Sequence, residues 1–90
     1  MEKNEIIDRL RRFILQELMR NPDYPLRDDE PLLTSGLIDS FSVAQFGVFV
    51  EVTFGVYIPD TDLTVENIDT LDRMARSILA LRGGAAAESP

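Results

Sequence analysis

The stretch Ser40-Phe41-Ser42-Val43-Ala44-Gln45-Phe46-Gly47-Val48-Phe49-Val50-Glu51-Val52-Thr53-Phe54-Gly55 decides the fold. Its β-branched and aromatic residues suit a strand as well as a helix. Length decides between them, because an unbroken segment of about fifteen residues favours a helix over a strand. Ser40 stands near the expected N-cap, and Gly55 follows the expected end. At 100° per residue, Val43, Phe46, Phe49, Val50 and Phe54 share one side and should face the core. Phe41, Ala44, Gln45, Val48, Glu51 and Val52 share another side, on which only Glu51 is charged. A helix apolar on both sides is either fully buried or covers an interaction surface.

Working outward, Ile6, Ile7, Leu10, Phe13, Ile14 and Leu18 recur at three- and four-residue steps and predict an amphipathic helix over about 4–19. Asn4 is a candidate cap, and Asn21-Pro22 ends the helix, since the residue before proline is pushed out of the α region. A long connection then spans about 21–39, with Pro22, Pro25, Pro31 and the acidic run Asp28-Asp29-Glu30. Leu26, Leu32, Leu33, Leu37 and Ile38 should pin it onto the bundle as an ordered strap. Beyond Ile58-Pro59-Asp60, Thr64 is placed to cap one short helical turn. Thr70 then caps a last helix in which Leu71, Met74, Ala75, Ile78 and Leu79 share a face. Gly83-Gly84 should stop that helix, leaving 83–90 as a flexible tail and 1–82 as one domain. The expected class is all-α: a small four-helix bundle, three main helices plus one short one, with a long ordered loop between helices one and two.

Composition removes much chemistry. The 90 residues contain no cysteine and no histidine, so disulfides, imidazole or thiolate nucleophiles and the usual zinc ligand sets are excluded. No metal site and no acid–base pair can be named, so the chain does not read as an enzyme. A net charge of −7 opposes nucleic acid and anionic lipid. The charge is uneven: residues 1–20 and 71–90 carry +1 each, whereas residues 21–70 carry −9, which favours basic partners. No apolar run approaches the ~20 residues that cross a bilayer, and no signal-peptide core is present, so a cytoplasmic protein is expected.

Gly36-Leu37-Ile38-Asp39-Ser40-Phe41 joins the pinned loop to the second helix. Free backbone N–H groups and the positive dipole end favour a negatively charged group there. Gly36 can supply a backbone conformation closed to other residues. As an ordinary N-cap, Ser40 needs no modification, and Asp39 is then a helix-dipole partner.

Gly36-Leu37-Ile38-Asp39-Ser40 resembles the attachment motif of acyl and peptidyl carrier proteins, whose serine is modified by phosphopantetheine from coenzyme A. The resemblance covers nearly the whole chain, including Phe54-Gly55 and Ile58-Pro59-Asp60. It implies that Ser40 takes the arm, that Asp39 supports recognition by the phosphopantetheinyl transferase and its magnesium, and that Ile38 anchors the loop. Phe41 departs from the leucine common in that family but stays apolar. The second helix is the family's docking surface, here through Phe41, Ala44, Val48 and Val52 with Gln45 and Glu51 beside them. Acidic residues at the periphery, Asp28-Asp29-Glu30, Asp39, Glu51, Asp60 and Asp62, would steer partners. The implied partners are the transferase, an acyl- or aminoacyl-loading ligase and downstream acyl-processing enzymes. The expected form is a free-standing monomer. The first reading is an acyl carrier; an aminoacyl or peptidyl carrier loaded by a separate adenylating ligase is the alternative within the class. From another class stands an unmodified helical protein-interaction adaptor.

Overall fold

Residues 2–88 are described by a computed structural model, in which all regular elements are helical. Helix α1 spans Lys3–Phe13 and runs on through a π-helical turn, Ile14–Leu18. Helices α2 (Ser40–Phe54), α3 (Val65–Ile68) and α4 (Leu71–Glu88) follow, with a 3₁₀ turn at Asp60–Asp62 between α2 and α3. The four-helix, all-α bundle expected from the apolar periodicity is therefore the architecture of the described residues. None of their helices is long and apolar enough to cross a membrane.

The core forms where the periodic stripes converge. Ile6, Ile7 and Leu10 of α1 and Ile14 of the π turn meet Phe46 and Val50 of α2 and Leu71, Met74, Ala75 and Ile78 of α4, all buried. Burial of that apolar area, at roughly 25 cal/mol per Å², is the main stabilising term in a chain this short. Ion pairs fasten the edges: Lys3 Nζ lies 2.6 Å from Asp72 Oδ1, and Arg76 Nε lies 2.9 Å from Asp72 Oδ2. The hydrogen bond from Lys3, only partly opposed by burial, holds the Asp72 carboxyl below its ordinary pKa.

Several ends differ from the sequence reading. Glu2, not Asn4, precedes the first helical residue, and no side chain caps it; Asn4 lies inside the first turn. The chain leaves the π turn through Arg20 in the left-handed region (φ 54°), with Asn21 N–H donating to the Leu15 carbonyl at 2.8 Å. Thr64 occupies the N-cap position of α3 without a side-chain bond, whereas Thr70 Oγ1 accepts from Arg73 N–H at 3.0 Å at the start of α4. The largest correction is at the other end of α4, which runs through Gly83-Gly84 to Glu88 instead of stopping at residue 82. A glycine in a helix interior costs about 1 kcal/mol relative to alanine. In a helix already nucleated and packed, each further residue adds a hydrogen bond, and Ala85–Ala87 are the strongest helix formers. Ser89 and Pro90 of the expected tail lie outside the described residues.

Gly55 ends α2 at φ 70°, as its place after the apolar run predicts. Gly47 is different. It sits mid-helix, and a Cβ there would meet Leu63 Cδ1 at 3.8 Å, an ordinary contact. Gly47→Ala should therefore raise unfolding stability by about 0.5–1 kcal/mol, read as a higher urea midpoint at unchanged slope.

Candidate functional site

Asp39 begins the site. It is extended, at φ −114° and ψ −178°, and its Oδ1 accepts from Ser42 N–H at 3.0 Å and from Ser42 Oγ at 3.1 Å. Asp39 is thus the N-cap of α2, correcting the placement of Ser40 in that role. Ser40 is the first residue inside the helix; it is exposed, and its hydroxyl makes no hydrogen bond among the described residues. By helix geometry the first amides of α2 lack intrahelical acceptors, and Asp39 takes only the amide of Ser42. A free hydroxyl thus stands at the positive end of a helix dipole, with one carboxylate beside it.

What holds that hydroxyl in place is not local to it. Asp69, between α3 and α4 and only 6% exposed, points its carboxylate into a turn of the strap. Its Oδ1 accepts from three successive backbone amides, Leu32 at 3.2 Å, Leu33 at 2.8 Å and Thr34 at 3.1 Å. Its Oδ2 accepts from Thr34 Oγ1 at 2.8 Å, and its carbonyl accepts from Leu32 N–H at 2.7 Å. Burial alone would raise the pKa of this carboxyl, but the Thr34, Leu33 and Leu32 donors prevail and hold it below its ordinary value. From Leu32 the order passes to the motif: Ile38 N–H donates to the Leu32 carbonyl at 3.1 Å, and the Ile38 side chain is buried. Gly36 makes the turn between them at φ 82°.

The earlier part of the strap is held from α1. Arg11 donates to the Leu26 carbonyl at 3.2 Å, pairs with Asp8 at 3.0 Å and also pairs with Asp28. The Tyr24 hydroxyl donates to the Glu30 carboxylate, which raises the pKa of the phenol and lowers that of the acid. With Leu26, Leu32 and Ile38 buried and Leu33 and Leu37 partly so, the connection is the ordered strap its leucines predict.

Along α2 every residue assigned to the second side is exposed. Phe41 is 83%, Val52 80% and Val48 63% exposed, so neither Phe41 nor Val52 packs beneath the strap. Ala44, Gln45 and Glu51 complete the patch, while the opposite side carries the buried Phe46 and Val50. The structure therefore brings Asp39, Ser40 and the patch residues onto one helix, Ser40 at its start and the apolar surface along its length.

Sequence reasoning missed Asp69. Its partners lie 35–37 residues away, and a lone aspartate ahead of a Thr cap carries no local signal of them. No family model matches the sequence, and no curated protein matches it.

Asp69→Ala leaves the Leu33 and Thr34 amides and the Thr34 hydroxyl without their acceptor, and should lower stability by about 2–4 kcal/mol at neutral pH. A carboxyl with a depressed folded pKa contributes stability that is complete above its unfolded pKa and is lost as pH falls through the folded one. The difference between wild type and variant should therefore shrink below about pH 4, measured by urea unfolding across that range.

Proposed function

We propose that the chain is a carrier protein of the acyl or peptidyl type, with Ser40 as the point of covalent attachment of phosphopantetheine. The observation that carries this reading is the exposed, unbonded Ser40 hydroxyl at the start of α2, the cap role being filled by Asp39. The surroundings fit the group. An attached phosphodiester is anionic, and a helix N-terminus with free amides suits an anion. The exposed position leaves room for a transferase, and Asp39 is exposed next to the hydroxyl for it to recognise. When bound, phosphopantetheine supplies a thiol on a flexible arm, on which cargo is held as a thioester.

In this reading the chain delivers and does not catalyse. The strap and its Asp69 anchor tie the start of α2, and with it Ser40, to the segment between α3 and α4. The exposed apolar patch around Val48 gives partners a surface to rest on, and tethering makes each encounter of cargo with a docked active site nearly intramolecular. The acidic middle of the chain favours partners with basic rims, and weak docking suits a carrier that must leave one enzyme for the next. A biosynthetic acyl chain is the first choice of cargo. The scarcity of charge on α2 favours an aminoacyl group as the second, supplied by a separate adenylating ligase.

Incubation with coenzyme A, magnesium and a broad-range phosphopantetheinyl transferase should add one phosphopantetheine, seen by intact-mass spectrometry, and Ser40→Ala should add none. No gain with any transferase tried would leave the unmodified adaptor as the better reading. On the loaded protein, Val48→Glu should slow cargo transfer by at least about tenfold, because docking would desolvate an unpaired charge in an apolar contact. Unchanged rates with every partner enzyme would remove the patch from the mechanism.

A further inference from the structure

A groove runs between the last turns of α1 and the exposed side of α2. Its floor is the stacked pair Phe13 and Phe49, ring centroids 4.1 Å apart and 12° from parallel, with Phe54 edge-on to Phe49 at 5.9 Å. One part, about 600 Å³, lies between Ala44, Gln45, Val48 and Val52 of α2 and Glu17 of the π turn and Arg20 just beyond it. A second part, about 490 Å³, continues over the same ring pair to Arg9 and Arg12. The groove is thus long, open and apolar at its floor, the form that receives an amphipathic helix.

Its charges come from one wall. The α2 residues that line it carry none. On the wall formed by α1 and the residues that follow it, Glu5 pairs with Arg9 at 3.4 Å, while Arg12 and Arg20 have no ion-pair partner among the described residues and Glu17 stands between them in sequence. The rim is therefore net positive on a chain of net charge −7. Arg12 stands on α1 and Arg20 just past the π turn, so each part of the groove has one unpaired arginine on its rim.

We propose that this groove receives an amphipathic helix of a partner protein, its apolar stripe on Phe13 and Phe49 and its acidic flanks against Arg12 and Arg20. The exposed side of α2 from a second copy is a poorer occupant, because it offers Glu51 as its one acid. The site borrows Val48 and Val52 from the patch described above, but it requires no modification of Ser40. It also asks for the opposite charge: the α1 edge selects acidic flanks, whereas the acidic middle of the chain selects basic ones.

Two synthetic helical peptides with one leucine stripe, flanked by glutamates at i and i+7 or by lysines at the same places, test it. Each is titrated into ¹⁵N-labelled Ser40→Ala protein, so the outcome is independent of any arm. The glutamate peptide should shift the amides of Phe13, Gln16, Val48 and Val52 and bind at least fivefold more tightly than the lysine peptide. Arg12→Glu combined with Arg20→Glu, both exposed positions, should reverse that preference while leaving the rest of the spectrum unchanged. Equal affinities, shifts confined to α3 and α4, no binding by either peptide, or a preference retained in the double variant would each overturn the proposal. So would a concentration-dependent dimer that covers the same amides without peptide.

Discussion

One carboxylate organises the non-helical part of this molecule. The connection from residue 21 to residue 39 contains no helix or strand of its own, and ordering a segment of that length costs about 1–2 kcal/mol per residue in backbone entropy. Buried leucines offset part of that cost but leave the main chain to be satisfied. Asp69 does so at the deepest point by accepting from Leu32, Leu33 and Thr34 at once. A charged acceptor in a poorly hydrated site makes stronger hydrogen bonds than a neutral one, and it leaves no amide of that turn stranded. Because Ile38 N–H bonds to the Leu32 carbonyl, the position of Asp39 and Ser40 is tied to an aspartate between α3 and α4.

Helix α2 is unusual in what it leaves in water. Half of its apolar residues close the core, and the rest, led by Phe41, Val48 and Val52, stay exposed. Isolated exposed apolar residues are ordinary, but a continuous strip along one helix marks a contact surface. Charge gives that strip two different edges. The middle of the chain is acidic, while the α1 edge carries Arg12 and Arg20. Complementary charge chiefly sets approach and specificity, so a surface with edges of opposite sign can sort partners that share an apolar contact. For a molecule proposed to visit several enzymes, such sorting is a physical advantage.

Much of the fold was readable because its signals are local. The spacing of Ile6, Ile7, Leu10 and Ile14 marked α1, Thr70 marked the start of α4, and Gly55 the end of α2. The core-facing and outward sides of α2 were also separated by the helical wheel. The failures have physical reasons too. Two glycines read as a stop, yet helix continuation depends on the residues after them and on how firmly the packed part is nucleated. The cap of α2 went to Asp39 because its carboxylate reaches both the amide and the hydroxyl of Ser42, which spacing alone does not reveal.

The sequence by itself determined the helices, the order of their apolar faces and the segment in which the Ser40 hydroxyl stands. These follow from periodicity and turn chemistry acting over a few residues. Only the tertiary structure decided which carboxylate anchors the strap, that no other segment covers the second side of α2, and that Phe13 stacks on Phe49 to floor a groove. Each depends on groups tens of residues apart, and burial, not sequence spacing, chooses their partners.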